Sequence, residues 1–277
     1  NYPTNGNSLH EIRVCKSTDG GKTWETMKPV ASHTAHMTGY NQNEIRGLWS
    51  QFLFETSKGD IQCYYDDENV CWEAGYKGHQ WWMMKTLDKE KREWSEPVCV
   101  SRTYGNLLAR DGMGAVAETS DGTLVAVFES VNTNAPHKGC IRIVTSSDYG
   151  KTWNYCNDKK QDTRKIVYAP KDKNYSALQP WIAVLPGDVL MCVFITDEEN
   201  QTADDVSSGN LNMISKYVLS YDKGKTWEGP YTIDPDPPVK APTVTLLKYG
   251  RNKGMLIYQA RYSGQTVRRF GEIKEQE

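Results

Sequence analysis

The chain has 277 residues, in which 33 lysine and arginine residues nearly balance 35 aspartate and glutamate residues. The net charge of −2 excludes nucleic-acid binding through a strongly basic surface, and no apolar run approaches the ~20 residues that a membrane helix requires. The aromatic composition is unusual, with 9 Trp and 16 Tyr against 5 Phe, and such half-polar rings suit sugar-binding clefts as well as cores.

One short motif recurs along the chain. It occupies residues 17–24 (STDGGKTW), 146–153 (SSDYGKTW) and 220–227 (SYDKGKTW), and a degenerate copy occupies 86–94. The aspartate of each copy is placed to accept backbone N–H groups within a hairpin turn, and the glycine permits a positive φ. The tryptophan is expected to cover the seam between neighbouring sheets. The spacing of the copies suits a four-stranded propeller blade.

Between these motifs, short apolar runs alternate with tight turns. Strand–turn–strand pairs are expected at 51–65, 116–128, 181–194 and 243–258, and a third strand leads into each motif. No long amphipathic helix competes with this pattern. The seven cysteines lie mostly in apolar strand-like runs and are expected to be buried thiols. We therefore predict an all-β chain that folds as a single β-propeller domain over residues 1–277.

The motif S-x-D-x-G-x-T-W is the Asp-box, and the chain resembles the sialidase-like superfamily of Asp-box propellers. Within that superfamily it is most similar to the exo-arabinanases of glycoside hydrolase family ninety-three, over most of residues 10–270. The segments that carry this similarity are Trp49 with Phe52-Leu53-Phe54, 64–68 (YYDDE), 78–80 (GHQ), and 110–113 (RDGM) followed by a strand–turn–strand ending at Glu129.

The resemblance implies six four-stranded antiparallel blades, and this chain contains fewer. It opens at the third strand of one blade, three further units follow, and a fifth begins near residue 240 without an Asp-box. Either the chain is an N-terminally incomplete six-bladed propeller, or a smaller ring closes by pairing residues 242–272 with residues 9–30. The family also usually has Trp-Glu-Pro where this chain has Trp49-Ser50-Gln51, so a polar contact supplied by that glutamate is missing or moved.

Glycoside hydrolysis requires two carboxyl groups that flank the scissile bond, ~5 Å apart in a retaining enzyme. Glu129 ends an apolar inner strand, where a core can fix it and shift its pKa, and the resemblance implies a catalytic glutamate after this strand; we predict that it is the nucleophile. The corresponding strand of the next unit is followed by Glu198 and Glu199, of which we favour Glu198 as the acid/base. The preceding unit ends at 64–68, which could supply the second carboxylate or a substrate-binding aspartate, for which we favour Asp67.

Six further residues are candidates for substrate binding. They are Arg110, Asp111, His79, Trp49, Trp181 and Arg261. The adjacent arginine and aspartate precede an inner strand and are expected to bind sugar hydroxyls or position Glu129, unless they form a structural ion pair. The histidine could bond a hydroxyl, the two tryptophans are expected to stack on sugar rings, and the second arginine could add a polar contact.

These observations favour an exo-acting, retaining glycoside hydrolase that resembles exo-α-1,5-L-arabinanase. Its partner is an oligo- or polysaccharide, with no nucleic acid, membrane, cofactor or metal expected, and we expect a secreted or extracellular monomer. A sialidase or another exo-glycosidase is the alternative within the same class, although the Arg-Ile-Pro segment typical of sialidases is absent. A non-catalytic propeller that binds carbohydrate or protein is the alternative from another class, favoured by Trp49-Ser50-Gln51.

Overall fold

The computed structural model describes residues 6–37, 47–103, 109–132, 139–199, 212–235, 239–249, 252–261 and 266–272. Apart from a five-residue helix α1 (Asn69–Glu73) and a 3-10 turn at Pro186–Asp188, these residues form strands and loops. The strands lie in successive antiparallel sheets that follow chain order. This arrangement confirms the predicted all-β class.

The first unit contains two small sheets. Its strands are β1 (Gly6–Ile12), β2 (Cys15–Lys16), β3 (Glu25–Thr26) and β4 (Ala31–Met37). Strand β1 pairs with β4, and the short β2–β3 hairpin carries the first Asp-box between them. The first Asp-box therefore follows a strand, as the sequence predicts.

Three larger sheets follow, each with the up-and-down order expected of a propeller blade. The second blade contains β5 (Leu48–Glu55), β6 (Ile61–Asp67), β7 (Trp81–Asp88), β8 (Glu93–Trp94) and β9 (Val98–Ser101). The third contains β10 (Ala109–Glu118), β11 (Leu124–Asn132), β12 (Gly139–Ser146) and β13 (Lys165–Tyr168). The fourth contains β14 (Ala177–Leu185), β15 (Val189–Thr196), β16 (Ile214–Ser220) and β17 (Glu228–Asp234).

The fifth sheet has three described strands, β18 (Val239–Tyr249), β19 (Asn252–Arg261) and β20 (Thr266–Glu272). Within the described ranges, this sheet and the β1–β4 sheet are separate. The pairing of residues 242–272 with 9–30 that a smaller ring would require is therefore not observed. The first strands of consecutive blades are neighbours, with β10 between β5 and β14, and β14 between β10 and β18.

The Asp-box of the third blade ties that blade to the second. In the third blade, Asp148 accepts hydrogen bonds from the backbone N–H (2.9 Å) and the hydroxyl (2.6 Å) of Thr152. The indole of Trp153 donates to the Gly150 carbonyl at 3.1 Å, and its ring meets Tyr64 of the second blade with centroids 6.1 Å apart. The turn-forming aspartate and the seam-covering tryptophan are thus both observed in this copy, whereas Trp24 of the first Asp-box is 64% exposed, contrary to the prediction. The core lies between blades, where burial of apolar rings stabilises their packing.

All four inner strands β5, β10, β14 and β18 contain a bulge at the same level. The pairing register shifts between Trp49 and Phe52, Gly112 and Ala115, Leu178 and Trp181, and Lys240 and Thr243. Within each bulge one non-glycine residue has a left-handed φ: Ser50 (42°), Met113 (47°), Gln179 (52°) and Ala241 (48°). Such conformations cost of order 1–3 kcal/mol each and often occur at functional sites. Two of these residues turn their backbone N–H groups toward acidic side chains of the preceding blade.

The cysteines are free thiols, and Cys63, Cys71, Cys140 and Cys192 are buried as expected, whereas Cys15 is exposed and Cys99 and Cys156 are only partly buried. Among the helices of the described residues, none is long and apolar enough to cross a membrane.

Candidate active site

The four bulges surround a cavity of about 240 Å³ at one end of the inner strands, which we call the funnel. Phe52 and Trp181, from the second and fourth blades, meet edge to face there, with ring centroids 5.1 Å apart. A larger cavity of about 560 Å³ lies at the opposite end and includes Glu55 and Glu118. The Glu118 carboxylate accepts hydrogen bonds from the backbone N–H and the hydroxyl of Ser57 there. We place the candidate site in the smaller cavity because acidic groups with shifted pKa values adjoin it.

Glu129 lies beside the funnel within β11, paired across the sheet with Gly112. The strand continues to Asn132, so Glu129 does not end it as the sequence predicted. Its Oε2 accepts a 2.8 Å hydrogen bond from the backbone N–H of Gln179 in the fourth-blade bulge. Burial raises the pKa of the Glu129 carboxyl to about 7, against the opposing effects of the Gln179 N–H and of the Arg110 charge. The residue as a whole is intermediate between buried and exposed, and its hydrogen-bond donor Gln179 lines the funnel.

Asp66 holds the corresponding position in the second blade, where it pairs with Trp49 immediately before a bulge. Its carboxylate accepts the backbone N–H of Met113 at 3.1 and 3.3 Å. A side chain at Gly112 would come within 2.3 Å of Asp66 Oδ1, so the absence of a Cβ there makes room for this carboxylate. Burial raises the pKa of Asp66 well above its usual value, and the nearby Glu129 charge raises it further.

Arg110 supplies the positive charge of this region. It donates to Glu68 Oε1 at 2.5 Å and to Gln80 Oε1 at 2.7 Å. Glu68 is buried and also accepts the Gly47 backbone N–H at 2.7 Å. The guanidinium therefore has two fixed partners and still lowers the pKa values of Asp66 and Glu129 through its charge.

Asp111 lies next to Arg110 in sequence but faces a different environment. It is fully buried and accepts hydrogen bonds from Ser101 (2.7 Å), Ser130 (2.8 Å) and the Arg164 guanidinium (2.5 Å). Asp111 thus lies in a buried ion pair with Arg164, whereas Arg110 pairs with Glu68, so the ion pair between Arg110 and Asp111 considered from the sequence is not observed.

Asp67 also has structural partners. Its Oδ1 accepts the backbone N–H groups of Asn69 (2.7 Å) and Val70 (3.2 Å) at the start of α1. Its Oδ2 lies 3.4 Å from His33 Nε2, and this contact raises the pKa of His33. Because successive strand residues point to opposite faces, Asp67 is directed away from the side on which Asp66 meets Met113.

Glu198 follows β15 in the fourth blade and is 21% exposed. Its carboxylate accepts hydrogen bonds from the Tyr168 hydroxyl and from Lys216 Nζ, the latter at 3.2 Å. Glu199 shares the same lysine at 2.6 Å. Over the described ranges, none of the hydrogen bonds or ion pairs of Glu198 involves Glu129.

The remaining predicted residues are divided between the funnel and its surroundings. Trp181 lines the funnel, whereas Trp49 packs over Gly47 and meets His10 edge-on, with centroids 6.2 Å apart. His79 is buried against Tyr76, and burial lowers its pKa. Arg261 ends β19 opposite Val239, and its side chain lies outside the described part of the structure.

Comparisons with known proteins give the fold family. The chain matches a sialidase of Bacteroides fragilis at 26% identity over 180 residues, covering 57% of this chain but only 31% of that protein. It superposes on the α-L-arabinofuranosidase Arb93a of Fusarium graminearum with a TM-score of 0.63 and 17% identity, covering 97% of this chain and 68% of that one. An α-L-arabinanase of Penicillium chrysogenum, solved with arabinobiose, gives a TM-score of 0.61 and 17% identity over 99% and 70% of the two chains.

The fold is that of a sialidase-like β-propeller. No family model matches the chain. The structural similarity to proteins of 17% identity shows a shared fold alone. The propeller spans less than a third of the curated sialidase. In the described part of the propeller, no group of three or more His, Cys, Asp or Glu side chains is arranged to hold a metal ion.

Two residues of the site were not singled out from the sequence, Asp66 and Gln179. Asp66 lies beside the predicted Asp67, and its register relative to the bulge, the same as that of Glu129, is the signal that would identify it. Gln179 acts through its backbone N–H, so its side-chain type carries no signal.

Proposed function

We propose that this propeller is an exo-acting glycoside hydrolase that cleaves α-1,5-linked L-arabinan with retention of configuration. Glu129 is the nucleophile and Glu198 the acid/base. The observation that carries the proposal is the position of Glu129: a carboxyl group beside the funnel, held by the N–H of Gln179, which lines the funnel, and close to the charge of Arg110.

The chemistry follows from these contacts. Burial raises the pKa of Glu129 to about 7, and the Gln179 N–H and the Arg110 charge limit this rise, so the ionised form, which is the form that attacks, prevails above about pH 7. A Glu129 oxygen bonds to the anomeric carbon while the glycosidic bond breaks and the leaving oxygen takes a proton from Glu198. Water then cleaves the glycosyl–enzyme ester, with Glu198 as the base that removes its proton.

The two glutamates are connected through one strand. Glu129 is bound by the bulge of β14, and Glu198 follows β15, the strand that pairs with β14. Asp197 accepts the backbone N–H of Ser176 at 2.7 Å, which fixes the segment that carries Glu198 beside the start of β14. Both carboxylates therefore flank the same end of β14, which supports their use as a pair. Lys216 and Tyr168 orient Glu198.

The shape of the funnel supports attack on a chain end. Phe52 and Trp181 are in contact across the cavity, so an extended glycan cannot pass between them. A terminal sugar can enter and rest against the exposed part of the Trp181 ring, as sugars commonly do on aromatic faces. The solved α-L-arabinanase with arabinobiose has the same architecture, which is why we choose arabinan among possible glycans.

The test is a substrate panel analysed by product chromatography. Linear α-1,5-arabinan, arabinobiose, 4-nitrophenyl α-L-arabinofuranoside and sialyllactose are each incubated with the propeller. We expect short products released from arabinan chain ends, with little early fall in viscosity. Release of sialic acid alone would favour a sialidase, a reading that the 26% identity to the Bacteroides fragilis protein motivates.

Saturable arabinan binding without any hydrolysis over long incubation would instead favour the non-catalytic alternative. Ser50, at the position where the family usually has glutamate, is the specific observation in its favour.

A further inference from the structure

The bulges of the inner strands form a repeated device for holding acidic side chains. The backbone N–H of Met113 holds Asp66 of the blade before it, and the backbone N–H of Gln179 holds Glu129 of the blade before it. In the fourth and fifth blades the corresponding positions, paired with the residue before the bulge, are Ile195 and Ala260. Among the bulged blades that the structure describes, a carboxyl group therefore occupies this position in the second and third, which are neighbours.

Both held carboxyl groups belong to residues that adjoin Gly112. The Asp66 carboxyl group lies where a Gly112 side chain would be, and Glu129 is the cross-strand partner of Gly112. Each group therefore lies within electrostatic reach of the other, and the Glu129 charge disfavours ionisation of Asp66. Two carboxyl groups that share a site in this way do not both ionise readily.

The charges that surround the pair do not compensate two anions. Arg110 is the cation that acts on both groups, and it is already bound to Glu68 at 2.5 Å. Full ionisation would place three carboxylates around one guanidinium. The sequence neighbours of the pair have partners of their own, since Asp67 contacts His33 and Asp111 contacts Arg164.

We propose that Asp66 and Glu129 hold one proton between them and that Asp66 keeps it, which makes Asp66 a positioning residue for Glu129. Asp66 is 1% exposed, whereas Glu129 is partly exposed, so ionisation costs more at Asp66. The neutral Asp66 leaves the single negative charge on Glu129. The effect of this protonation on hydrolysis rests on the proposed function, but the protonation of Asp66 does not.

Ser50 is a further partner of Asp66. Its side chain hydrogen-bonds to the Asp66 carboxyl group, and Ser50 lies in the bulge of the strand that pairs with β6. A matched change, Ser50→Ala, removes one hydrogen bond to Asp66 without changing any charge.

The test is a titration of carboxyl groups followed by NMR of 13C-labelled Asp and Glu side chains, with no substrate present. In the unaltered propeller, we expect Glu129 to ionise first and Asp66 to ionise at least about one pH unit higher. In Glu129→Gln, the pKa of Asp66 should fall by about one unit because its charged neighbour is gone. In Asp66→Asn, the pKa of Glu129 should move by less than about half a unit, because asparagine resembles the neutral acid.

Glu55→Gln, in the cavity at the opposite end, is the matched control and should shift neither group. Ionisation of Asp66 before Glu129, or an unchanged Asp66 titration in Glu129→Gln, would overturn the proposal. If Asp66→Asn does not fold, Glu129→Gln still provides the test. This variant is expected to fold because it removes a carboxyl group whose pKa is raised by burial. Because the readout needs no turnover, a propeller that hydrolyses nothing would refute the proposed function and leave this inference standing.

Discussion

The carboxylate of Glu129 is held at 2.8 Å by the backbone N–H of Gln179, a residue of the next blade with a φ of 52°. The donor belongs to the main chain, so its position depends on the bulge and not on the glutamine side chain. That side chain has a separate role, because its Oε1 accepts the Ala241 backbone N–H of the fifth blade at 2.7 Å. One strained residue thus links three consecutive blades at the candidate nucleophile.

The raised pKa of Glu129 predicts a pH-dependent cost in stability. The folded state binds this proton more tightly than the unfolded chain, so stability falls as pH rises from about 4.5 to about 7 and is constant above. Glu129→Gln should therefore be more stable than the parent by on the order of 2 kcal/mol at about pH 8 and nearly equal to it below about pH 4. Guanidinium denaturation at both pH values measures the difference. An equal effect at both pH values would contradict the assignment.

Arg110 should set the acidic limb of the activity profile. Arg110→Met removes the cation that lowers the pKa of Glu129, so the limb of kcat/KM should move about one pH unit upward. It should also destabilise the fold by about 1–2 kcal/mol, because Glu68 loses its partner and screening at the partly exposed arginine limits the loss. Arg110→Lys is the control and should leave the limb nearly in place. An acidic limb at the same pH in Arg110→Met and in the parent would show that the Arg110 charge does not set the pKa of Glu129.

Asp111 should affect stability and not substrate affinity. Its ion pair with Arg164 is buried on both sides, and removing one partner of such a pair costs about 3–5 kcal/mol. We expect Asp111→Asn to lower the free energy of unfolding by an amount of this order, with KM unchanged. The double variant Asp111→Asn with Arg164→Met should recover part of the loss. A raised KM at unchanged stability would instead restore the substrate-binding role expected from the sequence.

Trp181 should contribute to sugar binding in the funnel. Trp181→Phe keeps an aromatic ring against Phe52 but reduces the surface available to a sugar. We expect KM for arabinobiose to rise about three- to tenfold with little change in kcat. Trp153→Phe is the matched control, because this Asp-box residue is buried between blades and should lower only the melting temperature. Equal KM values for Trp181→Phe and Trp153→Phe would show that Trp181 does not contribute to substrate binding.

The sequence was most informative where contacts are local. The Asp-box hydrogen bonds run between residues two to four positions apart, as from Thr23 and Lys22 to Asp19, so the motif alone predicts them. The bulges are different. Nothing in the residue types of Met113 or Gln179 marks a left-handed conformation, because the bulges depend on pairing within the sheet and on side chains of the neighbouring blade.

The choice between Asp66 and Asp67 shows the same limit. Strand β6 is buried along nearly its whole length, so its sequence lacks the polar–apolar alternation that would assign each side chain to a face. Only the register against β5, with Asp66 opposite Trp49 before the bulge, distinguishes the two. Similarly, the RDG segment predicted polar residues near the rim, but the structure separates Arg110 from the buried Asp111.

The most direct test of the central claim is the rate of arabinobiose hydrolysis by Glu129→Gln and Glu198→Gln. Glu199→Gln is the matched control for the second, since it shares Lys216 but is 59% exposed, and Glu55→Gln is the control for the first. We expect Glu129→Gln and Glu198→Gln to lose at least about a thousandfold in kcat while keeping native circular dichroism. The two control variants should keep the kcat of the parent. Parent-like turnover by folded Glu129→Gln would contradict the account.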